Sequence, residues 1–136
     1  MKIQNLPQLP QSSLSTISIK IVTLLGRQYL LVPDQSKIRR VLINDIVRLE
    51  GVKNYTLIHL KNGDSLISSR TLKVYDIVLQ EVDFFRIHKA HLINMKCLGH
   101  YDESQHQYAV MQNRDIISIS RRKRKDFQER ISVGIR

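Results

Sequence analysis

At 136 residues the chain suits one domain, and its 42% hydrophobic fraction can bury one modest core. Lys and Arg number 22 against 12 Asp and Glu, and the resulting net charge of +10 favours a polyanionic partner such as nucleic acid, or an anionic membrane surface. No apolar run approaches the ~20 residues that cross a bilayer, and Pro7 and Pro10 interrupt any signal-peptide core, so a cytoplasmic protein without membrane contact is expected.

Residues 1–16 hold one charged side chain, Lys2, among Gln, Ser, Pro and Leu, which reads as a flexible arm ahead of a single domain over 17–136. From Ile17, alternation with Ile19 and Ile21 predicts a half-buried strand. Gly26-Arg27-Gln28 can turn the chain into Tyr29–Val32, and Pro33–Ser36 is a second turn signal. Strands are expected at Ile38–Ile43 and Ile46–Glu50, then at Tyr55–Leu60, where Asn62-Gly63 supplies the positive φ of a tight hairpin returning through Leu66-Ile67. Ser69 or Thr71 can cap a helix over Leu72–Leu79, whose Leu72, Tyr75 and Leu79 share one face.

Further strands are expected at Phe84–Ile87, Leu92–Met95, Leu98–Tyr101, Gln107–Met111 and Ile116–Ile119, with Gln112-Asn113 as the last hairpin turn. Ser120 can cap a terminal helix, Arg121–Ile131, with Phe127 and Ile131 packing back on the sheet. Cys97 is alone, which excludes an internal disulfide and a cysteine-based zinc site, and its setting reads as an ordinary strand position.

Three segments carry chemistry. Arg121-Arg122-Lys123-Arg124-Lys125 follows an apolar strand, and such a run repels itself unless phosphates are near; Asp126 is the only adjacent acid. Arg86-Ile87-His88-Lys89 ends a strand and offers Lys89 at the following connection. His88 and His91 have no neighbouring carboxylate and no helix to align them, so no metal or other cofactor is expected. Lys53 and Asn54, in the polar loop after Gly51, can donate to phosphate or base edges, or simply serve their own turn. No Gly-rich phosphate loop, nucleophile elbow or acid–histidine frame is present, so no enzymatic activity is expected.

Taken in order, these segments resemble the LytTR family of bacterial DNA-binding domains. The resemblance is carried by Ile46-Val47-Arg48-Leu49-Glu50, Asn54-Tyr55, Phe84-Phe85-Arg86-Ile87-His88-Lys89, Ile93-Asn94 and Ile117-Ser118-Ile119-Ser120-Arg121. It runs from about Leu30 to Ile131. Two positions depart from it: Ala90 stands where the family has Ser, and His91 where an aromatic is common.

The resemblance implies a mainly β fold, an elongated sandwich with one short internal helix and a C-terminal helix, whose loops enter the major groove of duplex DNA. It places base contacts on Asn54 or Tyr55, Lys89 and Arg121. Lys53, Arg86, His88, Arg122, Lys123, Arg124 and Lys125 would then hold phosphates. It further implies a transcription regulator without a receiver domain of its own, with a second copy on adjacent repeats and a separate signalling protein as possible partners. Single-stranded RNA is the competing ligand, but only scattered tyrosines, Tyr55, Tyr101 and Tyr108, could stack its bases. An acidic protein partner for the basic face is the other alternative.

Overall fold

The computed structural model describes residues 19–34 and 36–134; the arm expected over 1–16, the expected strand start at Ile17 and Gln35 of the second turn lie outside them. Strands β1 (Lys20–Leu24), β2 (Arg27–Asp34) and β3 (Lys37–Leu42) form an antiparallel sheet in that order. The first turn is Leu25-Gly26, not Gly26–Gln28. Both of its residues take positive φ, 50° and 77°, so a two-residue loop suffices and Arg27 and Gln28 already pair with β1. The strand also continues through Pro33, where a turn was expected. The pairing of β1 ends at Leu31, so the missing N–H of Pro33 breaks no ladder there.

Strands β4 (Ile46–Val52), β5 (Tyr55–Leu60) and β6 (Ser65–Ser68) lead into helix α1 (Leu72–Leu79), followed by β7 (Phe84–His88) and β8 (His91–Asn94). These five strands make the central antiparallel sheet, in the order β6-β5-β4-β8-β7. A third sheet, ordered β11-β10-β9, is built from β9 (Leu98–Tyr101), β10 (Tyr108–Met111) and β11 (Ile116–Ser118). Helix α2 (Arg124–Gly134) follows. It starts later than expected, because Arg121–Lys123 form a separate 3-10 turn.

Alternation along the central strands, with an irregularity between Ile46 and Arg48 that sets Val47 on the face opposite Leu49, sends apolar side chains to both faces, and each face meets one of the outer sheets. On one face Leu49, Ile58, Phe84 and Leu92 pack with Leu30, Val32 and Val41 of the first sheet and with Leu72, Tyr75 and Leu79 of α1. On the other, Val47, Ile87 and Ile93 pack with Ala109, Met111 and Ile117 of the third sheet and with Phe127 of α2. A fully buried side chain of this kind contributes about 1.5–3 kcal/mol. Phe127 also meets Phe85 at 5.8 Å and Tyr101 edge-on at 5.5 Å, which anchors α2.

The buried polar residues Thr56, Ser68 and Asn94 are hydrogen-bonded. Asn94 donates to the Ile46 carbonyl at 2.9 Å and accepts from Lys96 N–H at 3.0 Å, tying β8 to the start of β4. Thr56 Oγ1 donates to the Arg70 carbonyl at 2.8 Å, and the Tyr75 hydroxyl donates to Ser68 Oγ. Thr71 occupies the N-cap of α1, but its side chain makes no capping bond. Cys97 lies in a 3-10 turn, Met95–Cys97, rather than in a strand. It is buried, and that burial pushes its thiol pKa up.

Candidate nucleic-acid interface

The register of the central sheet brings two of the three singled-out segments to one rim. Val52 pairs with Tyr55, so Lys53 and Asn54 form a two-residue turn at the end of β4. Strand β4 also pairs with β8, Glu50 against His91, so the Lys89-Ala90 turn lies at the same end of the sheet. The backbone closes the gap between them, with Gly51 N–H donating to the Ala90 carbonyl at 2.8 Å. In the strand order β5-β4-β8-β7 the two turn centres are two strand spacings apart, about 10 Å. The third segment joins through Ser120 N–H, which donates to the Ile87 carbonyl at 3.1 Å just before the Lys89 turn. Asn54, Tyr55, Lys89 and Arg121 are all exposed.

The β4–β5 turn takes its freedom from an unexpected residue. Lys53 holds the positive φ, 56°, whereas Gly51 is paired in the strand. A Cβ at Gly51 would lie 3.4 Å from Leu72, so glycine there allows the close approach of α1.

The Lys89 turn is braced from within the protein. Arg86 Nε donates to the His88 carbonyl at 3.1 Å, its Nη2 donates to the Lys89 carbonyl, and its Nη1 pairs with Asp76 of α1 at 3.3 Å. Arg86, which the sequence placed among phosphate ligands, thus has its guanidinium engaged on the turn. His88 Nδ1 accepts the Ala90 N–H at 3.0 Å, which puts the proton of the neutral ring on Nε2 as a free donor. Both backbone groups of Ala90 are therefore bonded, and the turn closes without the family's serine hydroxyl.

The basic run divides in the same way. Arg121, Arg122 and Lys125 are exposed. Lys123 sits over the Phe85 ring at 5.9 Å, and Arg124 Nε donates to the Ile119 carbonyl at 3.3 Å. Ser120 makes no side-chain cap; its carbonyl accepts from Lys123 N–H at 2.9 Å and closes the 3-10 turn. Between this turn and the Lys89 turn lies an open cleft of about 550 Å³, lined by His88, Lys89, Arg122 and Lys123 with Asp76 and Asp126.

Beneath the rim runs a charge network that the sequence did not reveal. Arg48 bridges Asp115, at 2.9 Å, and Glu50, at 3.3 Å, and His59 Nε2 meets Glu50 at 3.0 Å. Burial pushes the Glu50 carboxyl up, but the His59 bond and the Arg48 charge outweigh it and hold it below the ordinary value. Asp115 is also lowered: its burial is overcome by the hydrogen bonds from Arg48 and Asn113. His91 is lowered by its own burial and by the Arg48 charge, against the pull of Glu50, and its Nδ1 is buried without a hydrogen-bond partner. The His88 and His91 rings are 5.3 Å apart, yet among the described residues no group of three or more ligand side chains could hold a metal. Among the described residues no helix is long and apolar enough to cross a membrane.

Comparison with known proteins adds the following. Residues 36–132 match the LytTr DNA-binding domain family. Among solved structures, the chain is similar to the LytTr DNA-binding domain of a protein described as a methyl-accepting/DNA response regulator from Bacillus cereus. The TM-score is 0.64 at 14% identity, over 76% of this chain and 95% of that one. No curated protein matches.

Proposed function

The chain belongs to the LytTr DNA-binding domain family, and from that premise we propose that it is a cytoplasmic transcription regulator that binds double-stranded DNA sequence-specifically. The observation that carries this reading is the shared rim: two hairpin turns tied by the Gly51–Ala90 bond, with Arg121 anchored beside them through Ser120. The ~10 Å between the turns suits a major groove about 12 Å wide. Loops, rather than a helix, enter that groove.

Lys89 and Arg121 donate to guanine O6 and N7, and Asn54, or Tyr55 beside it, contacts a neighbouring base. Lys53, His88 through Nε2, and Arg122, Lys123, Arg124 and Lys125 hold phosphates, which fix register without reading sequence. Arg86 serves the turn itself. Stacking on single-stranded RNA is less well supported, because Tyr101 is already packed against Phe127 and His106.

Selection from a random duplex library gives the test. A preferred site should emerge, and on it Arg121→Ala should cost about 1–3 kcal/mol more than on random duplex. Equal losses on both would make Arg121 a phosphate ligand only. A selected site holding two repeats, filled in two steps, would mark a second copy on the DNA.

A further inference from the structure

We propose that Asp76, on helix α1, is a positioning residue for DNA recognition: it holds the Arg86 guanidinium that fixes the carbonyls of the Lys89 turn. The assignment rests on the base-reading role of Lys89. Both side chains of the Arg86–Asp76 pair are about three-quarters covered, with exposures of 23% and 24%. The planar guanidinium has three partners in three directions: the Asp76 carboxylate, the His88 carbonyl and the Lys89 carbonyl. That arrangement fixes its plane as well as its position. With Ala90 N–H on His88 Nδ1 and Ala90 O on Gly51 N–H, the His88, Lys89 and Ala90 carbonyls and the Ala90 N–H are all bonded.

The surroundings would otherwise expel this guanidinium. Lys89, Arg122 and Lys123 line the same cleft, and their charges repel Arg86, with Asp126 as the other acid there. Asp76 offsets that repulsion, and α1 is seated on the core through Leu72, Tyr75 and Leu79, so the carboxylate is rigidly placed. Without it, Arg86 would turn toward the phosphates of a bound duplex and release the two carbonyls. An acid in a cleft that faces DNA also weakens sequence-independent attraction. A role in the shape of the turn therefore has a signature: removal of the carboxylate acts in opposite directions on the two kinds of duplex.

The experiment measures the affinity of the wild-type chain, Asp76→Asn, Asp76→Ala and Arg86→Lys for the duplex recovered by selection and for a scrambled duplex of equal length. Asp76→Asn, nearly isosteric, carries the test if the alanine variant fails to fold. We expect each Asp76 variant to lose about fivefold on the selected duplex, a fraction of one base contact. On the scrambled duplex it should hold or gain up to about threefold, because one repulsive charge is gone. Arg86→Lys, which keeps the charge but cannot reach three acceptors, should lose the same discrimination. Lys89→Ala should cost less in the Asp76→Asn background than in the wild type.

A common factor on both duplexes would overturn the proposal, since Asp76 would then act only through charge or stability. So would full discrimination in Arg86→Lys. A wild-type chain that prefers no duplex would remove the base-reading role itself and this inference with it. A preference kept intact by Asp76→Asn would sink this inference alone.

Discussion

Replacing Arg48 by Met tests the network beneath the rim most directly. Methionine keeps the apolar stem of the side chain but removes both ion pairs. The Arg48 side chain is only 13% exposed, while its partners Glu50 and Asp115 are 30% and 34% exposed. A hydrogen bond to a charged group contributes about 1.5–3 kcal/mol, and loss of one partner of a buried pair costs about 3–5 kcal/mol. The partial exposure of both carboxylates and the 3.3 Å length of the Glu50 contact place this case near the low end. We expect a loss of about 2–3 kcal/mol at pH 7, or roughly 6–10 °C in Tm for a domain of this size.

The loss should depend on pH. Glu50 and Asp115 both have folded pKa values below their ordinary ones, so their contribution is complete above the ordinary carboxylate range. It disappears as pH falls through the folded values. Without Arg48 the depression relaxes, so wild type and variant should converge only as pH falls below the folded values of both carboxylates, under their ordinary range. Urea unfolding at pH 7 and at about pH 2, below both folded values, measures the difference. An equal loss at both values would mean that Arg48 contributes by packing, and the electrostatic account would be wrong.

Three further outcomes are expected. His91 resists protonation when folded, so the stability is complete above its ordinary pKa and declines as pH falls through it; His91→Phe should flatten the change in unfolding free energy between pH 7.5 and 5.5, and an unaltered slope would exonerate His91. Phe127→Ala should cost about 3–5 kcal/mol by chemical denaturation, because the ring is fully buried between Phe85 and Tyr101; a loss under about 1 kcal/mol would mean that α2 does not anchor there. Lys53→Asn should raise stability by under about 1 kcal/mol, since Asn tolerates the left-handed region better, while it weakens binding to any duplex and lowers the salt slope by about one. A stabilised variant with unchanged salt slope would remove Lys53 from the phosphate contacts.

Much of the fold was legible because it rests on local pattern. β5, α1 and β9 have the bounds that alternation, the apolar face and the Asn-Gly turn predict. The errors lie where conformation depends on neighbours. That Arg27 is strand follows from the positive φ of Leu25, a residue no turn rule favours. The 3-10 turn at Arg121–Lys123 is closed by the Ser120 carbonyl, not by the hydroxyl that suggested a cap. The candidate contact residues could be found because they sit at turns and in one charge run. What orients them could not: Arg86 finds Asp76 across ten residues and a change of element, and Arg48 finds Asp115 across 67. Pairings of that kind exist only once the sheets have stacked.

The backbone hydrogen bond from Gly51 N–H to the Ala90 carbonyl bears on how specificity can change. Because β4 and β8 are direct neighbours, a displacement of either turn is passed to the other through the ladder. If Lys89 and Asn54 make the base contacts proposed above, preferences at the two base steps should therefore fail to vary independently, and altering one turn would retune what its neighbour accepts.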